Sequence, residues 1–151
     1  MDLTKLSQND KLALIAGAVV AITALLALGD GWGTLMIVSL LAGIGIVAVV
    51  LMPMLAPSAK LPAPRGLSLL ALGAAATIAT AIVAVDWLGY IFDELADFET
   101  IIFLLGLVAA IVAAYAGWVA YSKERGSAVP TAAAPPPEAP IAPPEAPTTA
   151  G

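Results

Sequence analysis

Four long apolar runs divide the chain, and short polar stretches separate them. The first covers residues 12–29 and the second 34–55; the third starts at Leu67 and the fourth covers 100–121. At about 1.5 Å per helical residue, each is long enough to cross a hydrocarbon core of about 30 Å. Ser7 precedes the first run with cap chemistry, and Asp10 follows three residues later, where an acid suits the positive helix end. Gly29, Gly31 and Gly33 mark a tight turn around Trp32, a side chain suited to the headgroup interface. Pro53, Pro57, Pro62 and Pro64 end the second run and exclude a helix through residues 56–65.

Residues 86–99 break the apolar pattern between the third and fourth runs. They hold five of the eleven acidic residues and no Lys or Arg. On a helix continuing past Val85, Asp86, Tyr90, Asp93 and Asp97 share one face, while Leu88, Ile91, Leu95 and Phe98 line the other. The spacing predicts that the third helix extends as an amphipathic element, giving a span of about 67–92. A break near Asp97 follows. Asp97 then caps the fourth helix, and Glu99 sits in its first turn.

Residues 126–151 have a different composition. Eight of the twelve prolines fall there, and PPEAP occurs at 136–140 and again at 143–147. Such a segment cannot bury a core, and it is expected to be a disordered, partly polyproline-II tail. The domain organisation expected is a membrane domain over 1–125, with spans at about 12–29, 34–55, 67–92 and 100–121, followed by that tail.

Composition turns these runs into membrane spans. The chain is 61% hydrophobic with a mean hydropathy of +1.00, far above the roughly 45–50% apolar usage of soluble domains. A chain of 151 residues cannot hide that surface from water, so lipid must act as part of the solvent. The fold class expected is all-α: an integral membrane bundle of four transmembrane helices with a disordered Pro/Ala-rich C-terminal tail. The first run also admits a signal-peptide reading, since Lys5 and Lys11 precede it and Ala27 to Gly29 resembles a cleavage site. Its length exceeds the usual core of about 7–15 residues, which favours a retained span.

Charge sets the expected orientation. All six basic residues, Lys5, Lys11, Lys60, Arg65, Lys123 and Arg125, fall on one side of an alternating four-span path. The positive-inside rule puts that side in the cytoplasm. The expected location is the bacterial plasma membrane, multi-pass, with both termini cytoplasmic and residues 86–99 facing outward.

Lipid removes the usual hydrophobic drive for helix association, so close contact of small residues must hold the spans together. Candidates are Gly17 with Ala21, Ser39 with Gly43, Gly73 with Thr77, Ala76 with Thr80 and Ala84, and Gly106 with Ala110 and Ala114. Packing within the chain explains these faces; a homo-oligomer or another membrane protein is the other use they could serve. Thr77 and Thr80 are expected to bond to carbonyls of their own helix.

The candidate chemistry is sparse. There is no Cys and no His, which excludes disulfides, thiolate or imidazole metal sites, and Cys- or His-based catalysis. No HExxH, P-loop or dinucleotide-binding glycine pattern is present. Ser39 and Ser68 have no base nearby in sequence. No catalytic residue and no cofactor are expected, and six dispersed basic residues make no nucleic-acid patch. With Asp97 and Glu99 assigned to the fourth helix start, Asp86, Asp93 and Glu94 remain. Clustered carboxylates suit Ca²⁺ or Mg²⁺, but EF-hand spacing is absent, and solvated surface charge is the competing reading.

Leu6, Ser7, Asp10 and Lys11 before the first span, Leu61 and Pro62 in the linker, and Tyr115 to Arg125 at the end of the fourth carry a resemblance. The layout of residues 6–125 resembles that of small four-span membrane proteins of high-GC bacteria. Members often carry Leu-Pro-Trp after the first span, where this chain has Leu28 to Trp32. The group has no assigned activity, so the resemblance implies a location in the membrane and nothing further. The functional expectation is a non-enzymatic membrane protein, a small scaffold or accessory subunit of a membrane assembly, whose partners begin with the lipid bilayer. The alternative is a subunit of a small transporter or channel with an outward-facing acidic cation site.

Overall fold

A computed structural model describes residues 6–29, 33–56, 58, 61 and 63–127. The elements are α1 (Gln8–Gly29), α2 (Met36–Leu55), α3 (Arg65–Asp86), the short α4 (Leu88–Asp93) and α5 (Phe98–Ser127). Four of them, α1, α2, α3 and α5, are long and apolar enough to cross a membrane. Ser7 acts as expected at the first helix start: its hydroxyl accepts the Asp10 N–H at 3.1 Å. Gly33 adopts φ of 100° just before α2, a conformation that costs glycine nothing. Pro64 supplies the last residue before α3, where a fixed φ and a missing N–H do no harm. Of the tail expected from residue 126, Gly126 and Ser127 instead end α5; the rest of it, and the expected turn at Asp30 to Trp32, lie outside the described residues.

The four long helices form an all-α bundle in which α1, α2, α3 and α5 follow one another around a ring and α5 closes back on α1. Every neighbouring pair is antiparallel. Ala27 of α1 clusters with Met36 of α2, while Ala13 clusters with Ile46. In the same sense Gly66 of α3 meets Tyr121 of α5, and Gly73 meets Ala114.

Small residues line much of the bundle interior, beside larger ones such as Met36, Ile46, Leu69 and Phe103. Ala13, Ala16, Ala24, Ala76, Ala110, Ala113 and Ala116 are buried, whereas Ile15, Ile22, Leu25, Leu41, Ile78, Leu105 and Ile111 point outward. Large side chains gain nothing from leaving lipid, but small ones let backbones touch and collect dispersion energy. The contact is closest between α3 and α5. A Cβ added at Gly66 would sit 2.5 Å from the Tyr121 nitrogen, and one at Gly117 would sit 2.5 Å from the Leu70 nitrogen. Between α1 and α2, a Cβ at Gly43 would meet the Ala21 nitrogen at 2.7 Å. The small residues anticipated as contact faces, Gly17, Gly43, Gly73, Gly106 and Ala110 among them, are therefore spent on packing inside the chain. The first apolar run is one wall of this bundle, with Ala13, Gly17, Val20, Ala24 and Ala27 buried against its neighbours.

Residues 86–99 depart from the expectation. The third helix stops at Asp86 instead of running to about residue 92, and α4 is a separate helix. Trp87 stands between them at φ −103° and ψ 14°, outside the helical well. Its N–H still bonds to the Val83 carbonyl at 3.0 Å, and its carbonyl accepts the Ile91 N–H at 2.9 Å. These two bonds bridge the turn. The helical register is lost at Trp87, so the expected apolar stripe does not form. Ile91 is buried, but Leu88, Leu95 and Phe98 are exposed.

Candidate functional site

Three polar regions sit on this frame: an acidic end, a basic end and a small set of hydroxyls inside. At the acidic end, Asp86 closes α3 and is exposed, as are Asp93 and Glu94. Asp86 borders a groove on the outside of α3 with Ile78, Ala81, Ile82 and Val85. Among the described residues, no three acidic side chains are grouped so that they could hold one metal ion. The break at Trp87 separates Asp86 from the acids that a continuous helix would have aligned with it. Tyr90 connects the remaining pieces. Its ring meets Trp87 edge-on at 5.7 Å. Partial desolvation, then the negative charges of Asp97, Glu99 and Glu94, and a hydrogen bond with Asp97 together raise the Tyr90 phenol above its ordinary pKa. Asp97 stands just before α5, and its carbonyl accepts the Ile101 N–H at 3.0 Å.

The basic end holds a polar network that joins all four long helices. Arg65, the first residue of α3, pairs with Asp10 of α1 at 3.0 Å and reaches the Val50 carbonyl of α2 at 3.4 Å. Asn9 of α1 donates to the Ala116 carbonyl of α5 at 3.0 Å. Glu124 of α5 accepts the Gly66 N–H at 2.8 Å. This last contact caps α3 from another helix. Pro64 offers no capping side chain, so an orphan donor of the first turn takes a carboxylate from across the bundle. Glu124 can reach because α5 runs on to Ser127, beyond the hydrophobic span expected to end at 121.

The interior carries Thr23, Ser39 and Thr80, each at least 94% buried. Thr80 donates to the Ala76 carbonyl at 2.8 Å, as expected for a membrane threonine, and Thr77 does the same to Gly73 at 2.8 Å. Ser39 of α2 lies 3.0 Å from the Thr80 hydroxyl of α3. Thr23 of α1 donates to the Val19 carbonyl at 2.8 Å. These residues line a space of about 10 Å³ together with Val20, Met36, Phe103 and Gly106. Thr100, one turn before Phe103, is fully buried, and its hydroxyl has no hydrogen-bond partner.

Thr77 and Thr80 bond to carbonyls of their own helix as expected, whereas Asp86 closes α3 where the expected span ran on to about residue 92. Sequence reasoning missed the Ser39–Thr80 pair, the Arg65–Asp10 pair and the Glu124 cap. Their partners are 41, 55 and 58 residues apart, and no local period links such positions. A lone acid among basic residues at the end of the last span was the one available signal for Glu124. No family model matches the chain, and neither a curated protein nor a solved structure is similar to it.

Proposed function

We propose that the protein is a non-enzymatic membrane protein that serves as a small scaffold or accessory subunit of a membrane assembly, with its basic end in the cytoplasm. The observation that carries this reading is the interior. Among the described residues, the buried polar side chains are Thr23, Ser39, Thr80 and Thr100, none of them ionisable. Transport paths and proton relays usually place ionisable groups at depth, paired or facing a wet cavity. Here the space lined by hydroxyls is about 10 Å³, too small for a solute to traverse, and glycine contacts close the bundle around it. What remains for interaction is the outer surface, rich in exposed Ile, Leu and Val.

The protein reconstituted in lipid vesicles tests this against the transport reading. Proton and monovalent-cation flux should equal that of protein-free vesicles. Flux above that level, abolished by Asp86→Asn, would replace the proposal with a transporter. Single cysteines at Ile22, Val85 or Leu105 in the native membrane should cross-link to another polypeptide or to a second copy. A chain that never cross-links from any of the three would leave an assembly role without support.

A further inference from the structure

We propose that the space between Thr23, Ser39 and Thr80 is a binding site for a single water molecule that ties α1 to the α2–α3 pair inside the membrane. The argument is an account of hydrogens. The Thr80 hydroxyl gives its proton to the Ala76 carbonyl at 2.8 Å. Ser39 then gives its proton to the Thr80 oxygen at 3.0 Å or to the same Ala76 carbonyl at 3.4 Å, and in either case it is spent within the α2–α3 pair. Thr23 gives its proton to the Val19 carbonyl at 2.8 Å, with the Val20 carbonyl at 3.2 Å. All three protons are committed, so the Thr23 and Ser39 oxygens face the space with lone pairs only. The other lining side chains, from Val20, Ala24, Ala27, Met36 and Phe103, add no strong donor.

An acceptor-only wall selects a donor as its guest. Anions are excluded. A bare cation of similar size is also excluded, because no lining residue is acidic and an uncompensated charge in such a medium is expensive. A volume of about 10 Å³ is at the lower edge of the roughly 10–15 Å³ that one water needs, which leaves room for no larger neutral donor. Water supplies two O–H groups for two acceptors on two walls. α5 keeps the space open: a Cβ at Gly106 would lie 2.5 Å from the Thr23 oxygen. Among the described residues, Thr23 makes no direct hydrogen bond to Ser39 or Thr80, so a hydrogen-bonded link between the two sides needs a guest.

Diffraction from crystals grown in lipid, at a resolution that reveals ordered water, reads this directly. The expected result is one peak within hydrogen-bond distance of both Thr23 Oγ1 and Ser39 Oγ. Thr23→Val, which keeps the shape and removes the acceptor, should lose that peak. In thermal unfolding, the shift for Thr23→Val with Ser39→Ala should fall short of the sum of the single shifts, because the first change already releases the water. Wild-type density that resolves waters at the bundle ends and none here overturns the proposal. A peak retained in Thr23→Val, or additive shifts, overturns it as well.

Discussion

At the scale of single residues, this bundle depends on side chains that are missing. Gly66, Gly73 and Gly117 let α3 and α5 touch backbone to backbone, and a methyl group at any of them would fall under 3 Å from main-chain atoms. Backbone cannot swing aside as a flexible side chain can, so the helices must separate. Gly117→Ala is therefore expected to destabilise the protein by about 1–3 kcal/mol, the usual range for overpacking. Gly89→Ala is the matched control, because nothing lies within 4 Å of a Cβ there. Its effect should stay within about 0.5 kcal/mol, as for ordinary surface changes. Unfolding in mild detergent measures both, and equal losses would mean that the α3–α5 seam is looser than its geometry.

At the scale of elements, the ends of the helices differ in how they are held. The α1 start is capped locally by Ser7. The α3 start depends on Glu124, since Pro64 cannot cap it. Glu124→Gln keeps an oxygen acceptor for the Gly66 N–H and should cost little. Glu124→Ala removes it and should cost about 0.5–2 kcal/mol, the range for a lost helix cap. Hydrogen exchange at the first turn of α3 should rise in the alanine variant and stay near wild type in the glutamine variant. If both variants exchange alike, the contact contributes charge and no cap. The break between α3 and α4 is the element that periodicity did not reveal. A helix-compatible run of residues continued past Asp86, but the chain must bring Phe98 back to start α5, and it breaks at Trp87 and turns again over residues 94–97.

At the scale of the whole molecule, antiparallel packing gathers the charges into two ends. Lys11, Arg65, Lys123 and Arg125 lie on elements joined at one end by the Asn9, Arg65 and Glu124 contacts. Asp86, Asp93, Glu94, Asp97 and Glu99 flank the connections at the opposite end. On the proposed orientation, with the basic end in the cytoplasm, Glu94→Cys should react with an impermeant thiol reagent applied outside intact cells. Ser58→Cys and Ser127→Cys should react only once the membrane is opened. The chain has no native cysteine to confuse the readout. Labelling of position 58 from outside would reverse the orientation.

Span number and the ends of the first and second helices were legible in the sequence, because hydropathy acts locally; α2 starts at Met36 rather than at 34, and Pro53 lies inside it rather than ending it. The use of small residues for contact was legible too, since lipid gives large side chains no reason to turn inward. Local pattern could not say which small residue meets which. Gly66 needs Tyr121, and Gly106 needs Thr23; these pairings exist only once four helices close into a ring. The same holds for the polar contacts. Ser39, Arg65 and Glu124 were each visible as residues, but a hydroxyl or a charge acquires its role from what lies across the bundle. Only the tertiary structure decided that, because hydrogen bonds and van der Waals contacts act over a few ångströms in space and are indifferent to separation along the chain.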